Sequence, residues 1–459
     1  MNFAVYRLSK YVAVLTLLLT SSASAAEDDF SGWLEGLRTE AMVAGISDAT
    51  ANDAVNRIEF LPDVIALDRS QPEFISPFLD YYQKRVDKQK VQKGRQMLME
   101  HEVMLTQIEA QYGVPKFTLV AFWGLETQYG RSLGKLDILS SLATLAYDGR
   151  RTEFFRGQLL DAMRMIDIGH VDASALTGSW AGAFGNMQFM PTTFMLYAVD
   201  GDGDNLIDLV DSLPDAFASA ANYLAQVGWR ANEPAMLEVQ LPDDFDWKNA
   251  QLSVRKPVEE WSRLGVRALH VDVGAPGFAS KTVLAKDVQG KKTKLNSAKT
   301  KKPALQKVNN ITQQIQDNAA VTSVSLDALG LKVKGPAAIL LPQGYRGPAF
   351  MVFDNFDVIM DWNRSVNYAL SVAQLAEQLR HDSRIVGGQF AEAGALSFQE
   401  MLDLQNILNA RGFNAGEPDG LPGFMTQEAV RNYQLANQLP ADGYASRGLY
   451  QRLYSEQPQ

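Results

Sequence analysis

The chain has 459 residues, of which 46% are hydrophobic and 21% charged, a composition typical of a globular protein long enough for more than one domain. The formal net charge of −10 makes binding to nucleic acid or to an anionic lipid surface unfavourable. The absence of cysteine excludes a disulfide framework and thiolate metal sites. A histidine zinc site is not expected either, because the four histidines lie far apart without H-x-x-x-H spacing: His101, His170, His270 and His381.

Residues 1–25 have the layout of a secretory signal. Arg7 and Lys10 precede the apolar run YVAVLTLLLT, and Ala23 and Ala25 are the small residues of a cleavage site. The apolar run is short for a bilayer span, and no later stretch is long and apolar enough. Since a cysteine is needed for an acylated lipoprotein terminus, we expect a periplasmic protein with a cleaved signal, no lipid anchor and no integral membrane segment.

From Phe30 to about Gly228, apolar residues recur at three- and four-residue spacing, which predicts a mainly helical region. Within it, FLDYYQKRVDKQKVQKGRQMLMEHEVMLTQIEAQYG predicts one long helical stretch that ends at Gly113. A second helix is predicted between Pro115, suited to a helix start, and Gly130, suited to the position after a helix end.

The stretch AFWGLETQYGR, residues 121–131, places one acid on the apolar face of that second helix. Glu126 follows Phe122 and Trp123 at helical spacing and lies near the negative end of the helix dipole. Both surroundings disfavour the carboxylate, so we expect a raised pKa, as a general acid requires. On these residues alone, an ion pair between Glu126 and Arg131 or another base at the helix end is the alternative, and these residues favour it.

Two loops follow. SWAGAFGNMQFMPTTF, residues 179–194, is rich in small residues, as expected where backbone approaches a ligand, and Gln188 offers an amide for hydroxyl or acetamido groups.

The second loop, DGDGDNLIDLVD at residues 200–211, can be counted as a twelve-residue calcium loop. Asn205 then replaces the usual Gly at position 6 and tolerates the left-handed turn. The candidate ligands are Asp200, Asp202, Asp204, the Leu206 carbonyl, Asp208 and Asp211, with Asp215 as the alternative to Asp211. A solvated acidic turn is the other interpretation.

The composition changes near Ser280. Residues 281–302 contain eight lysines and one acid, Asp287, and the stretch to about 318 is rich in polar residues. This pattern is typical of an exposed, mobile insertion, and contact with an acidic polymer is the alternative to a solvated loop. Folded composition then returns until about residue 380. Residues 381–397 are typical of a linker, and residues 398–459 form a compact final segment.

Four motifs follow one another in this part of the chain: an E-[ST]-x-[FY]-G helix, a G-x-x-Q-F-M-P loop, an Asp-rich loop and N-x-S-x-x-Y. With these motifs in this order, residues 30–380 resemble the lytic murein transglycosylases, in particular the membrane-bound lytic transglycosylase B group. The resemblance implies a mainly α fold with a lysozyme-like catalytic core and helical flanking regions, and a calcium site in the acidic loop. Residue by residue, it implies Glu126 as the single acid/base and Ser179, Gln188, Asn363 and Tyr368 as substrate contacts. Trp362 stands where the family commonly has tyrosine, so a hydroxyl is lost and a stacking surface remains.

The implied reaction explains a lone acid. An ordinary glycosidase uses two carboxylates. In the resembled family, the single acid protonates the oxygen between N-acetylmuramic acid and N-acetylglucosamine and then deprotonates the muramoyl C6 hydroxyl, which closes a 1,6-anhydro ring. No cofactor is needed for this chemistry, and Ca²⁺ has a structural role. A lysozyme-type hydrolase and a non-catalytic peptidoglycan-binding or scaffold protein are the alternatives.

The final segment, 398–459, carries L-x-x-Q-x-x-L…G-x-x-x-G-x-x-D-G-x-x-G-x-x-T, which resembles the three-helix peptidoglycan-binding domain of wall enzymes. A plain helical docking domain is the alternative. The domain prediction is therefore a signal (1–25), a catalytic region (26–380) that includes the acidic loop 200–215 and the Lys-rich insertion 281–318, a linker (381–397) and a small binding domain (398–459). The expected partners are peptidoglycan glycan strands, with wall-synthesis proteins as further candidates.

Overall fold

The structure is a computed structural model, and it describes residues 29–69, 76–271, 321–381, 383–388, 391–392 and 394–456. The predicted signal and the Lys-rich insertion lie outside these residues, so both stay predictions. The described chain divides into two compact units, the first comprising residues up to 232 and 354–376, the second comprising 233–353 and 377 onwards. Within the described residues, no helix combines the length and apolar character needed to cross a membrane.

The described part of the chain is mainly helical, which confirms the predicted fold class. The helices, numbered in chain order, are α1 (29–43), α2 (Asp48–Arg57), α3 (Pro62–Arg69), α4 (Phe78–Arg85), α5 (Lys88–Glu100), α6 (Glu102–Tyr112), α7 (Lys116–Thr127), α8 (Ile138–Tyr147), α9 (Thr152–Asp167), α10 (Pro191–Tyr197), α11 (Leu213–Gln226), α12 (Val258–Arg263), α13 (Asp354–Trp362), α14 (Val366–His381), α15 (Phe398–Ala410), α16 (Phe424–Ala436) and α17 (Arg447–Ser455).

The first unit packs its helices around α7 and α8, whose residues are buried almost throughout. A two-stranded antiparallel ladder, β1 (Leu136–Asp137) with β2 (Thr177–Gly178), joins the loop after α7 to the segment that carries Ser179. Close approach requires glycine there, because a Cβ on Gly134 would lie 2.0 Å from the Gly178 carbonyl carbon. The ladder therefore fixes the small-residue loop beside the end of α7.

The predicted long helical stretch from Phe78 to Gly113 is three helices, α4, α5 and α6, so that prediction is wrong in its continuity. The chain breaks before Asp87, whose side chain accepts a hydrogen bond from the Lys90 N–H and caps α5. It breaks again at His101, and Gly113 ends α6 in the left-handed conformation as expected. The breaks bring the α4–α5 corner against α7.

The second unit contains a six-stranded antiparallel sheet that the sequence did not predict. Its strands are β3 (Met236–Gln240), β4 (Arg255–Lys256), β5 (Arg267–Val271), β6 (Val321–Ser325), β7 (Ala337–Leu340) and β8 (Ala349–Val352), in the order β4-β7-β8-β3-β5-β6. Met236 pairs with Val352, and Arg267 with Ser325. Trp261 of α12 covers the sheet, and its indole N–H donates to the Ala337 carbonyl at 2.8 Å.

Helices α15, α16 and α17 pack around a separate apolar cluster that includes Leu404, Leu408, Val430 and Leu453. This is the three-helix arrangement expected for residues 398–459. The motif glutamine, Gln405, is buried and organises the turn before α16. Its Nε2 donates to the Thr426 hydroxyl at 2.9 Å, and its Oε1 accepts from the Gly420 N–H at 2.9 Å.

The second unit also holds the segment that leads to these helices. Glu238 of β3 is half-buried, and its carboxylate accepts the backbone N–H groups of Val386 and Gly387 at 3.0 and 2.6 Å. Asp442 is buried and accepts the Tyr345 N–H at 2.8 Å. Within this unit, the three-helix segment and the sheet region are therefore joined by hydrogen bonds as well as by the connecting chain.

Candidate active site

The centre of the candidate site is the last turn of α7. Pro115 precedes the helix as its N-cap, and Gln128 follows it in the left-handed conformation, with Tyr129 and Gly130 also at positive φ. Every residue from Thr118 to Thr127 is buried except Glu126, which is only half-buried. The turn therefore presents one carboxyl group at the surface of an otherwise apolar helix.

Two side chains that lie far away in sequence contact this carboxyl group. The Trp362 indole N–H donates to Glu126 Oε1 at 3.0 Å, and the Tyr368 hydroxyl donates to the same oxygen. Trp362 ends α13 and Tyr368 lies in the first turn of α14. The structure thus brings together three of the residues that the resemblance singled out.

Glu126 has a raised pKa, as predicted from its place in the sequence. Burial among apolar side chains is the largest cause and favours the protonated form. The hydrogen bonds from Tyr368 and Trp362 and the positive charge of Arg85 act in the opposite direction and lower the pKa. The raised pKa favours the protonated form that a general acid needs, and three groups that stabilise its conjugate base oppose this shift.

Trp362 packs into an aromatic cluster next to the carboxyl group. Its ring lies 4.6 Å from that of Phe122, 5.4 Å from Phe189 and 5.2 Å from Tyr223, measured between centroids. This aromatic cluster fixes the indole so that its N–H reaches Glu126. The loss of a hydroxyl expected at this position therefore does not leave the carboxyl group without a donor from residue 362.

The other residues expected to contact substrate lie in turns. Ser179 begins a tight turn in which its hydroxyl accepts the Ala183 N–H at 3.1 Å. Gln188 has a positive φ, and its amide donates to the Leu133 carbonyl at 3.1 Å. Asn363 is exposed and accepts the Ser365 N–H at 3.0 Å, which shapes the turn between α13 and α14. For these three residues, a role in binding substrate stays a prediction.

Asn186, which was not singled out from the sequence, joins α7 to the loops. Its Oδ1 accepts the Trp123 indole N–H and its backbone carbonyl accepts the Thr127 hydroxyl, both at 2.9 Å. Its Nδ2 donates to the Val210 carbonyl at 2.7 Å. The signal available in the sequence was its position two residues before Gln188 in the small-residue loop.

Three of the predicted metal ligands form a cluster. Carboxylate oxygens of Asp200, Asp202 and Asp204 lie within 4.8 Å of one another, and all three side chains are exposed. Asn205 has a φ of 73°, so it takes the left-handed turn predicted for position 6. Hard oxygen donors at this spacing suit Ca²⁺, and the residues present therefore fit such an ion.

The remaining candidate ligands lie outside this cluster. Asp215 is buried and accepts the backbone N–H groups of Gly201 and Asp208 at 2.7 and 2.8 Å, so it anchors the loop. The Asp208 carboxylate accepts the Val210 and Asp211 N–H groups. Leu206 and Asp211 are not among the clustered groups, and their roles as ligands stay predictions.

Comparison with known proteins identifies the families that this chain matches. Residues 29–298 and 282–377 match the transglycosylase SLT domain family, and residues 399–453 match a peptidoglycan binding domain. Membrane-bound lytic murein transglycosylase B of Escherichia coli K12 is 40% identical over 153 residues, which are 33% of this chain and 42% of that protein. The chain therefore spans less than half the length of this curated relative.

Solved structures cover more of the chain. The crystal structure of SltB3 from Pseudomonas aeruginosa in complex with NAG-anhNAM-pentapeptide is 38% identical, covers 93% of this chain and 99% of its own, and superposes with a TM-score of 0.75. The Escherichia coli lytic transglycosylase Slt35 in complex with calcium is 26% identical, covers 76% of this chain and 92% of its own, and gives a TM-score of 0.52.

The role of Trp362 can be tested on the pKa of Glu126 directly. In Trp362→Phe the ring remains but the donor to Oε1 is lost, so we expect the pKa of Glu126 to rise. Trp362→Tyr should bring it back towards the wild-type value. The measurement is a carboxyl ¹³C NMR titration, with the Glu126 resonance assigned by its absence in Glu126→Gln. Trp247→Phe, in the sheet unit, is the control, and equal pKa values in Trp362→Phe and wild type would contradict the assignment.

Proposed function

This chain belongs to the transglycosylase SLT domain family, and we propose that it is a peptidoglycan lytic transglycosylase. In the proposed reaction it cleaves the β-1,4 bond between N-acetylmuramic acid and N-acetylglucosamine and leaves 1,6-anhydro-muramic acid ends. The observation that carries the proposal is Glu126, a half-buried acid with a raised pKa whose Oε1 accepts hydrogen bonds from Trp362 and Tyr368.

The hydrogen bonds assign the two carboxyl oxygens different tasks. Because Trp362 and Tyr368 both donate to Oε1, we assign the transferable proton of Glu126 to Oε2. That proton goes to the glycosidic oxygen as the bond to the muramoyl C1 breaks. The two donors then stabilise the carboxylate that forms, because they were already in place before the proton left.

In the second step the same carboxylate acts as the base. It takes the proton of the muramoyl C6 hydroxyl, whose oxygen attacks C1 and closes the anhydro ring, so the acid is regenerated and no water is consumed. The nucleophile belongs to the substrate, so positioning replaces a second carboxylate. Among the described residues, the charged neighbour that acts on the pKa of Glu126 is the cation Arg85. In a retaining glycosidase, by contrast, a second carboxylate lies close to the first and acts as the nucleophile.

Two further parts of the chain have supporting roles in this proposal. The Asp200, Asp202 and Asp204 cluster would hold Ca²⁺, which would supply structural stabilisation of the loop and no chemistry. Residues 398–456 would bind peptidoglycan and keep the enzyme at the wall. The ligands in the two crystal structures of SltB3, NAG-anhNAM-pentapeptide and NAG-NAM-pentapeptide, support glycan strands with peptide stems as the substrate class.

The first test removes the transferable proton. Glu126→Gln is nearly isosteric and keeps a hydrogen-bonding group, so we expect the fold to survive. General acid–base catalysis supplies about 10²–10⁴-fold, and one residue serves both steps here, so we expect digestion of purified sacculi to fall by at least ~10³-fold. Mass spectrometry of wild-type digests should show 1,6-anhydro ends, one water lighter than reducing ends.

Each alternative has its own outcome in that experiment. Reducing ends alone from the wild-type protein would identify a lysozyme-type hydrolase. Wild-type protein that binds sacculi without releasing fragments would identify a binding or scaffold protein. A Glu126→Gln variant as fast as wild type would remove the carboxyl group from the mechanism.

The second test concerns the acidic loop. A ligand that binds only the folded state raises stability by RT ln(1 + [L]/Kd), about 2.7 kcal/mol at a hundredfold excess over Kd. We therefore expect Ca²⁺ to raise the wild-type melting temperature relative to chelator, and Asp200→Asn with Asp202→Asn to abolish the difference. Asp244→Asn, at an exposed aspartate outside the acidic loop, is the matched control. A wild-type melting temperature that ignores both Ca²⁺ and chelator would refute the calcium site.

The third test removes residues 398–459. Glu126, Trp362 and Tyr368 all belong to the first compact unit, so cleavage of soluble glycan chains should be retained. Action on intact sacculi should weaken, since the deletion removes a binder that raises the local concentration of substrate. Because Asp442 bonds Tyr345, circular dichroism must first show that the shortened protein is folded. Equal losses on both substrates would argue against a separate binding role.

A further inference from the structure

Two cationic side chains bind the backbone at the end of the helix that carries Glu126. Helix ends leave carbonyl groups without partners inside the helix. Lys90 Nζ donates to the Gly124 carbonyl at 2.7 Å, and Arg85 Nη2 donates to the Leu125 carbonyl at 3.0 Å. These are the two peptide groups immediately before Glu126, so both cations act on the turn that presents the carboxyl group.

Both cations are held by the α4–α5 corner. Arg85 is the last residue of α4 and Lys90 lies in the first turn of α5, which Asp87 caps through the Lys90 N–H. The Tyr129 hydroxyl, from the chain just after α7, donates to the Lys90 carbonyl at 2.8 Å. The corner therefore donates hydrogen bonds to the end of α7, and the chain just after α7 donates one to the corner.

The local charges agree with an electrostatic role. Burial, followed by the nearby charge of Arg85, lowers the pKa of Lys90 to about 8, so its ammonium is kept in place at some free-energy cost. Burial raises the pKa of both Glu126 and Tyr368, and the charge of Arg85 opposes both shifts. The groups that act on this carboxyl group are thus Tyr368, Trp362 and Arg85, and the Lys90 ammonium binds the Gly124 carbonyl nearby.

We propose that Arg85 and Lys90 are positioning residues of the reaction: they fix the last turn of α7 and offset the negative end of its dipole, so that Glu126 can release its proton without moving. The inference rests on the proposed role of Glu126 as acid and base. Neither cation transfers a proton or contacts the reacting atoms in this scheme. Their effect is to stabilise the carboxylate that exists between the two steps.

A matched pair of substitutions separates the charge of Arg85 from its hydrogen bond. Arg85→Gln keeps a donor for the Leu125 carbonyl and removes the charge, whereas Arg85→Lys keeps the charge. Glu126 must be protonated for the first step, so activity falls as pH rises through its pKa. Without the cation that pKa rises, so the alkaline limb of the pH–kcat profile should move to higher pH in Arg85→Gln and stay near wild type in Arg85→Lys.

The rate and its controls complete the test on soluble glycan chains. We expect kcat of Arg85→Gln to fall about tenfold, equivalent to about 1.4 kcal/mol, with KM little changed, because substrate binding is not altered. Lys84→Met removes an exposed cation from the same helix and should match wild type. Lys90→Met should lower kcat. The alkaline limb of its pH–kcat profile should remain, because that limb reports the deprotonation of Glu126.

Two results would overturn the inference. One is an unmoved alkaline limb in folded Arg85→Gln, with folding checked by thermal melting. The other is loss of the limb in Lys90→Met, which would assign it to Lys90. Failure of the proposed function has a different signature, namely wild-type protein without anhydro products or full activity of Glu126→Gln, and neither depends on Arg85.

Discussion

A side chain that serves as general acid near neutral pH must hold its proton in the resting state and still release it during the reaction. Burial of Glu126 acts towards the first requirement, since it raises the pKa of the carboxyl group. Burial alone would defeat the second requirement, because the carboxylate formed would be without water or partners. Trp362, Tyr368 and Arg85 resolve this conflict by favouring the charged form without exposing it fully to solvent.

This balance depends on distances that must be maintained across a helix end. Asn186 accepts from Trp123 and Thr127, on either side of Glu126, and donates to Val210 at the end of the acidic loop. A Cβ at Gly130 would lie 2.9 Å from Asn186 Oδ1, so glycine permits this close contact. The glycine and hydroxyl residues of the family motif thus hold the helix end against the loop, while the glutamate performs the proposed chemistry.

The sequence alone predicted the features that depend on neighbouring residues or on a recognised motif. The apolar helix around Glu126, its raised pKa and the left-handed Asn205 follow from spacing and residue type. The pairing of Glu126 with Trp362 could not be derived in this way, because the residues are 236 positions apart. Resemblance placed both at the site, and only the structure showed that the indole N–H donates to the Glu126 carboxyl group.

Two failures have identifiable physical reasons. The break between α4 and α5 depends on the Asp87 carboxylate, which offers the backbone an alternative to continuing the helix. The sheet was missed because its buried strands, such as AAIL and AFMV, are short apolar runs without alternation. Such runs cannot be distinguished from buried helix segments by periodicity.

The proposed single-acid mechanism also explains why so many contacts converge on one turn. With two carboxylates, each group can be adapted to one role, and some movement of either is tolerated between the steps. With one, the same oxygen must meet first the glycosidic oxygen and then the C6 hydroxyl, so any displacement of Glu126 after the first step slows the second. Hydrogen bonds to its side chain, cations on the preceding carbonyls and Asn186 behind the helix restrict three different movements. Rigidity of the α7 terminus is therefore part of the proposed chemistry, because the substrate supplies the nucleophile and the protein must supply the alignment.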